Sequence, residues 1–303
     1  MKIINVCLAC DDNYSKHAGV VIASILKNAD KTDYLHFYIL DGGITAQNKD
    51  KILQLREIKE CEINFVTIDD KIFADYVAVQ THSYITLPAY YRLKIASLLP
   101  NVDRIIYFDC DVVVNSSLAE LFYTDMNSLP VAGVRDINRK MLKKNPSYIN
   151  SGMLLIDVKN IRENNIEQLF LGWTKENFKS ITCGDQEIIN EALRDRIKIV
   201  DDKWNVQSSN FINRSSYMKN PLVVHFVARR KPWHWASFSY HRDLYFKYLQ
   251  LTPWKLSEEE YKHWTKDNQI ASLVEYFVHR PTFFLRLRFY EAVIKTYLIN
   301  GGE

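Results

Sequence analysis

Residues 104–114 read RIIYFDCDVVV, an apolar and β-branched run broken by two aspartates, Asp109 and Asp111. A run of this kind predicts a buried strand of a parallel sheet. Strand side chains alternate, so the two aspartates are expected on one face with Cys110 on the other. Ionised carboxylates are rarely buried without a partner. Two of them this close repel, and burial raises their pKa values further. A shared proton relieves the conflict, and so does a divalent cation, which favours oxygen ligands. An Asp-x-Asp at the carboxyl end of a strand also lies where open α/β sheets bind ligands. A solvated strand end is the plainer alternative, and the spacing alone does not choose between them.

Working outward, IINVCLA (3–9) predicts a strand that ends in the polar loop CDDNYS. Apolar residues at helical spacing follow from His17 to Asn28. YLHFYIL (34–40) is a second strand, closed by the turn DGG (41–43). Thr45 caps a helix to about Ile58, and EINFVTI (62–68) is a third strand. Ala89 to Leu98 reads as a helix stopped by Pro100. VAGV (131–134), NSGMLLIDV (150–158) and PLVVHF (221–226) read as strands, and Asp185 to Leu193 as a helix. This alternation predicts an α/β fold with a mostly parallel central sheet and helices on both faces. Neither repeat nor linker interrupts the chain before residue 240 or so. Residues 1–250 are therefore expected to form one domain, and 251–303, rich in aromatic and basic residues, a C-terminal helical segment.

The chain has 303 residues, 47% hydrophobic and 25% charged, enough for a sizeable core. Its 39 basic and 36 acidic residues give a net charge of +3, without the strongly basic character of a nucleic-acid binder. The first residues lack a signal peptide's long apolar core and cleavage site. No stretch reaches the roughly 18 apolar residues of a spanning helix. A soluble, cytoplasmic protein is expected. Five scattered cysteines do not make a disulfide framework. Cys7 and Cys10 form a CxxC, but no second pair follows, and residues three apart on a strand face opposite ways. Two buried core thiols are the expectation.

His225 ends the apolar run LVVHF. A histidine at a strand end is usually structural, yet neutral imidazole also binds transition metals. Together Asp109, Asp111 and His225 would form a facial set for one Mn²⁺, with Mg²⁺ as the alternative, leaving positions open for diphosphate oxygens.

Six motifs, ACDDNY (9–14), YYRLKI (90–95), YFDCDVVV (107–114), NSGMLLID (150–157), DQEIIN (185–190) and HFVARRKPWH (225–234), occur in one order across residues 1–250. In this the chain resembles the retaining glycosyltransferases of family 8, especially the bacterial α-galactosyl- and α-glucosyltransferases of lipooligosaccharide and lipopolysaccharide cores. The resemblance implies a GT-A type nucleotide-sugar-binding domain and a UDP-glucose or UDP-galactose donor bound with Mn²⁺. It also implies a saccharide or glycolipid acceptor. By position it places Asp11 on the uracil edge, Tyr14 on the uracil face and Asn13 near the ribose or diphosphate. Ala9 and Cys110 count among the nucleotide-sugar positions. Asp109, Asp111 and His225 would hold the metal, and Lys231 the diphosphate. Arg92, Asn150 and Asp185 would hold the donor sugar. Gln186 would face the anomeric carbon, so that Gln186 and Asp185 are the catalytic candidates. Asp136 falls where the family contacts its acceptor.

Each of these residues also has a bland reading. Asp11 and Asn13 suit a turn, and Tyr14 suits rim packing. Arg92 fits the solvated face of an amphipathic helix, Asp185 a helix N-cap, Asn150 a strand or turn cap, and Lys231 plain exposure. One position departs from the family's H-x-x-G-x-x-K, since Ala228 stands where glycine is usual, with Arg229 and Arg230 beside it. An inverting transferase would need a carboxylate base, for which Asp136 is the one candidate. A sugar-nucleotide pyrophosphorylase would carry a glycine-rich basic signature that CDDNYSKH lacks. A non-catalytic UDP-sugar-binding scaffold or sensor is the alternative outside enzymes. In the C-terminal segment, TFFLRLRFYEAVIKTYLI (282–299) puts Arg288, Glu291 and Lys295 on one helical face among aromatics. That pattern suits either packing on a protein surface or peripheral contact with the inner face of the plasma membrane.

Overall fold

The stretch expected as one strand is two. In the computed structural model, β4 (Arg104–Phe108) and β5 (Val112–Val114) belong to different sheets, and Asp109–Asp111 form the turn between them. The correction has a physical cause. The chain leaves the large sheet when two carboxylates would otherwise enter its apolar interior. Cys110 between them stays packed in the apolar layer, and the strand geometry resumes at Val112 in the small sheet. The aspartates therefore do not share a strand face; they sit on a turn at the junction of two sheets. The structure describes residues 2–77, 87–208, 220–227, 231–234, 237, 239 and 241–267. The departure at Ala228 and the amphipathic stretch 282–299 lie outside the described residues.

The other strands are β1 (Lys2–Cys10), β2 (Asp33–Asp41), β3 (Cys61–Thr67), β6 (Val131–Arg135), β7 (Ile149–Asp157), β8 (Ile197–Ile199), β9 (Val206–Gln207) and β10 (Val223–His225). Seven form a sheet in the order β3-β2-β1-β4-β7-β6-β8. All of its pairings are parallel except the two made by β7, which runs against β4 and β6. The mostly parallel sheet is as expected. A small second sheet has the order β5-β10-β9.

Alternation along β1 divides the core. Ile4, Val6, Leu8 and Cys10 join the apolar layer that includes Ala18, Val21, Ile22 and Ile25 of the Ser15–Asn28 helix. Cys7 points into the layer on the opposite face, with Tyr107, Leu154 and Ile188. The CxxC is thus two buried free thiols on opposite sides of a strand. The turn at 41–43 is also as expected, with Gly43 at φ +100°, a conformation open chiefly to glycine. Thr45 caps the Ala46–Gln54 helix by accepting from the Asn48 amide.

The helix expected over Ala89–Leu98 is mostly a 3₁₀ segment, Leu87–Lys94, followed by one α turn, Ile95–Leu98. Tyr90, Tyr91, Arg92 and Leu93 are all buried, so no amphipathic α-helical face exists here. Arg92 folds back to donate from Nε to the Ala89 carbonyl at 2.8 Å. Among the described residues, no helix is long and apolar enough to cross a membrane.

Candidate active site

Strand register builds the centre of the site. Across the antiparallel pair β10–β5, His225 is opposite Val112, one residue beyond Asp111. The Phe226 amide donates to the Asp111 carbonyl at 2.9 Å, and the Asp109 amide donates to the Gly152 carbonyl at 2.9 Å. Asp109 is thereby fixed to the large sheet, and Asp111 to the small one. Their carboxylates meet the imidazole at the seam: one ligand atom from each of Asp109, Asp111 and His225 lies within 4.8 Å of the others. His225 Nε2 is 3.2 Å from Asp111 Oδ1 and 3.9 Å from Asp109 Oδ2.

The histidine is oriented from behind. Asn205, wholly buried, uses its amide NH₂ to donate to Asn150 Oδ1 at 3.0 Å. Its carbonyl oxygen then faces His225 Nδ1 at 3.2 Å. That nitrogen must carry the proton, which leaves the Nε2 lone pair facing the two carboxylates. Two further observations suit a cation. Asp111 Oδ1 is buried without a hydrogen-bond donor, the imidazole beside it facing it with the Nε2 lone pair. Gly152 forms the floor, where a Cβ would come within 2.1 Å of His225 Cε1 and 2.8 Å of Asp109 Oδ2. Two carboxylates and one imidazole fit a divalent metal of the Mn²⁺ or Mg²⁺ kind.

Two cationic side chains flank the pair. Lys231 Nζ donates to Asp111 Oδ2 at 2.5 Å and to the Phe226 carbonyl at 2.9 Å, so it is engaged rather than merely exposed. Burial pushes the Asp111 carboxyl pKa up, but the ammonium of Lys231, by its charge and its hydrogen bond, opposes this, and the group is held well below the usual range. Arg92 is not on a solvated helix face either. Its Nη2 donates to Asp109 Oδ1 at 2.6 Å and its Nη1 to the Ser151 carbonyl at 2.6 Å. Its Nε lies 3.1 Å from Asp185 Oδ2, and its guanidinium stacks over Tyr107 at 4.3 Å. Burial disfavours the charge on Arg92, yet Asp109 and Asp185 more than compensate. The Asp185 carboxyl is shifted upward by burial, with Arg92 opposing.

Asp185 is not the cap of its helix, Gly184–Ala192, whose N-cap is Cys183. It sits in the first turn instead, accepting from Ser151 Oγ at 3.0 Å. The next residue, Gln186, accepts from the Ser151 amide and Asn150 Nδ2, each at 3.1 Å, and donates to Asp136 Oδ2 at 3.1 Å. Asp136 also accepts from Asn150 Nδ2 and the Asn138 amide. A carboxylate tied this fully is poorly placed to remove a proton from an acceptor, which weakens the inverting alternative.

Arg92, Asp109, Asp111, Asp136, Asn150, Asp185, Gln186, His225 and Lys231 are thus joined in one polar network. Asp11, Asn13 and Tyr14 lie on the turn after β1. Asp11 accepts from the Tyr14 amide at 3.0 Å, the turn chemistry expected of it. Parallel pairing of β1 with β4 sets this turn beside the aspartates, and Cys110 Sγ donates to the Ala9 carbonyl at 3.4 Å. Sequence reasoning missed Asn205, Ser151 and Tyr107 as site residues. Gly152 had a visible signal, its place in NSGMLLID, whereas KWNVQ around Asn205 reads as ordinary loop.

Residues 5–236, which contain every one of these side chains, match Glycosyl transferase family 8. The chain belongs to that family. Among its relatives, general stress protein A of Bacillus subtilis is 30% identical over 275 residues, covering 84% of this chain and 95% of its own. A lipopolysaccharide 1,2-glucosyltransferase of Escherichia coli is 25% identical over 279 residues, covering 84% and 80%. The galactosyltransferase LgtC, crystallised with donor and acceptor sugar analogues, superposes with a TM-score of 0.73 at 22% identity, covering 84% of this chain and 98% of its own. That likeness is one of fold, and the fold is GT-A. As a family 8 glycosyltransferase, the protein carries its candidate metal residues at the C-terminal end of the central strand β4, near the turn after β1 and the Gln186 helix.

Proposed function

We propose that this family 8 enzyme transfers glucose or galactose from a UDP-sugar to a saccharide acceptor, with retention of anomeric configuration and Mn²⁺ as its metal. The observation that carries the reading is the Asp109–Asp111–His225 cluster flanked by Lys231 on one side and Arg92, Asp185 and Gln186 on the other. Asp11, Asn13 and Tyr14 bind the nucleoside, and Asp109, Asp111 and His225 hold the metal. When bound, the metal supplies Lewis-acid stabilisation of the diphosphate charge, an effect worth several kcal/mol in such sites. The Lys231 ammonium adds charge stabilisation as the bond from sugar to UDP breaks. Arg92, Asn150 and Asp185 orient the hexose.

Retention in two steps requires a nucleophile such as a carboxylate. Gln186 is a poor nucleophile, and both ends of its amide are hydrogen-bonded. Front-face attack fits better. The acceptor hydroxyl bonds to the anomeric carbon on the side from which UDP departs, and its proton passes to a leaving phosphate oxygen. Asp136 contacts the acceptor. The lipopolysaccharide glucosyltransferase among the relatives supports a lipopolysaccharide or lipooligosaccharide core as acceptor. On this reading residues 1–250 are the catalytic domain, at work in the cytoplasm. The segment 251–303 brings it to the inner membrane face, and removing residues 271–303 is expected to abolish liposome binding.

A donor panel tests the proposal. UDP release from UDP-glucose, UDP-galactose and the UDP-N-acetylhexosamines is followed with and without Mn²⁺. Metal-dependent release from one of the two hexose donors is expected. Silence towards both leaves the non-catalytic sensor as the better account.

A further inference from the structure

Four rings from three separate parts of the chain meet beside the nucleotide turn. His17, in the first turn of the Ser15–Asn28 helix, stacks on Trp233 with centroids 3.6 Å apart and planes 17° apart. Its Nδ1 lies 2.7 Å from the Tyr245 hydroxyl on the Arg242–Leu249 helix, and Trp233 packs on Tyr245 at 5.1 Å. Tyr14 sets its edge against both His17, at 5.4 Å, and Trp233, at 6.2 Å. His17 is 9% exposed, and burial keeps its imidazole neutral, with a pKa near 3.

Trp233 belongs to the tight turn Lys231–His234, in which the His234 amide donates to the Lys231 carbonyl at 3.0 Å. Several contacts hold that turn. Lys231 Nζ reaches Asp111, Arg242 Nε donates to the Pro232 carbonyl at 2.6 Å, and Trp233 lies on His17. The first two hold the lysine head and the backbone. The stack, together with the edge of Tyr14 on Trp233, ties the turn to the Tyr14 turn and the helix that follows it.

We propose that His17 is a positioning residue that fixes the Lys231 turn against the Tyr14 turn, so that the two present base and diphosphate contacts at one spacing. The inference rests on the UDP-sugar reading above. A nucleoside diphosphate spans both turns, so its affinity depends on their separation. A misplacement of about 1 Å in such a site can cost on the order of 10²-fold in rate. The metal residues are held by the sheets, not by the stack. Mn²⁺ affinity without nucleotide is therefore independent of His17.

The test uses the full chain, with UDP binding followed by calorimetry in saturating Mn²⁺ and Mn²⁺ binding without nucleotide followed by electron paramagnetic resonance. His17→Ala is expected to weaken UDP roughly tenfold and leave Mn²⁺ within twofold. His17→Phe keeps a stacking ring and should hold UDP within about twofold of the native value. His17→Gln keeps a polar partner for Tyr245 but no ring, and should bind as weakly as alanine. Should alanine not fold, the phenylalanine and glutamine pair decides the matter. UDP affinity unchanged in folded His17→Ala, Mn²⁺ lost in parallel with UDP, or rescue by glutamine instead of phenylalanine would each overturn the inference. A native protein that binds Mn²⁺ but not UDP overturns the donor reading instead.

Discussion

Arg92 donates to Asp109 at 2.6 Å from a position almost fully withdrawn from water. The guanidinium simultaneously faces Asp185, so one cation neutralises two carboxylates, one from the candidate metal cluster and one from the Gln186 helix. Arg92→Ala leaves Asp185 buried without its counter-charge. A loss of about 3–5 kcal/mol of stability is expected, as for other broken buried pairs. Arg92→Lys should not restore activity, because a lysine cannot reproduce the fork that meets Asp109, Asp185 and the Ser151 carbonyl together. Urea denaturation and donor turnover measure the two effects.

Asn205 holds the proton-bearing side of His225 and also reaches Asn150. Partners of this kind typically change metal affinity by about 10–100-fold when removed. Asn205→Ala should weaken Mn²⁺ by that order, read by electron paramagnetic resonance. Unaltered affinity in the folded variant would show that Asn205 does not orient the imidazole.

Gly152→Ala introduces a methyl group against His225 Cε1 and Asp109 Oδ2. Both neighbours are anchored, His225 by the β5–β10 ladder and Asp109 by the hydrogen bond its amide donates to the Gly152 carbonyl. Overpacking of this kind costs about 1–3 kcal/mol. Metal binding should fall more steeply than stability. A variant that binds Mn²⁺ like the native protein contradicts the assigned geometry.

Gln186→Ala separates the two routes to retention. Front-face attack predicts that turnover survives in substantial part, because Gln186 orients rather than bonds covalently. Asp109→Ala should abolish turnover. Equal and complete loss in both variants would favour a covalent role for Gln186.

Asp12 holds the turn after β1 to the Ala46–Gln54 helix, accepting from the Thr45 amide, Thr45 Oγ1 and Asn48 Nδ2, each at 2.8 Å. These bonds lower its carboxyl pKa from the ordinary 3.8, the Thr45 amide contributing most. A depressed folded-state pKa gives stability that is present above the ordinary value and lost as pH falls through the folded one. Asp12→Ala should lower the melting temperature at pH 7, and the difference should shrink on acidification below pH 3.8. A gap that stays constant with pH would place the effect elsewhere.

Much of the architecture was legible because it follows from period and punctuation. The alternation in β1 and β2 and the turn at Gly43 are local properties that survive folding. The aspartate pair was legible as an anomaly, and its solution through His225 depended on chemistry rather than on proximity in the chain. What escaped was set by long-range contact. The break between β4 and β5 depends on which sheet accepts Val112, and RIIYFDCDVVV cannot express that. Arg92 looks amphipathic in YYRLK, yet it lies in a 3₁₀ segment and turns inward to Asp109 and Asp185. Asn205 matters only because β9 and β10 bring it behind His225, and no local pattern marks it.

The most direct measurement is a crystal of the protein grown with Mn²⁺ and UDP and recorded at the manganese absorption edge. The account predicts one anomalous peak bounded by Asp109, Asp111 and His225 Nε2, with the diphosphate on its open side towards Lys231. A peak elsewhere, or nucleotide bound with no manganese between those three side chains, would contradict it.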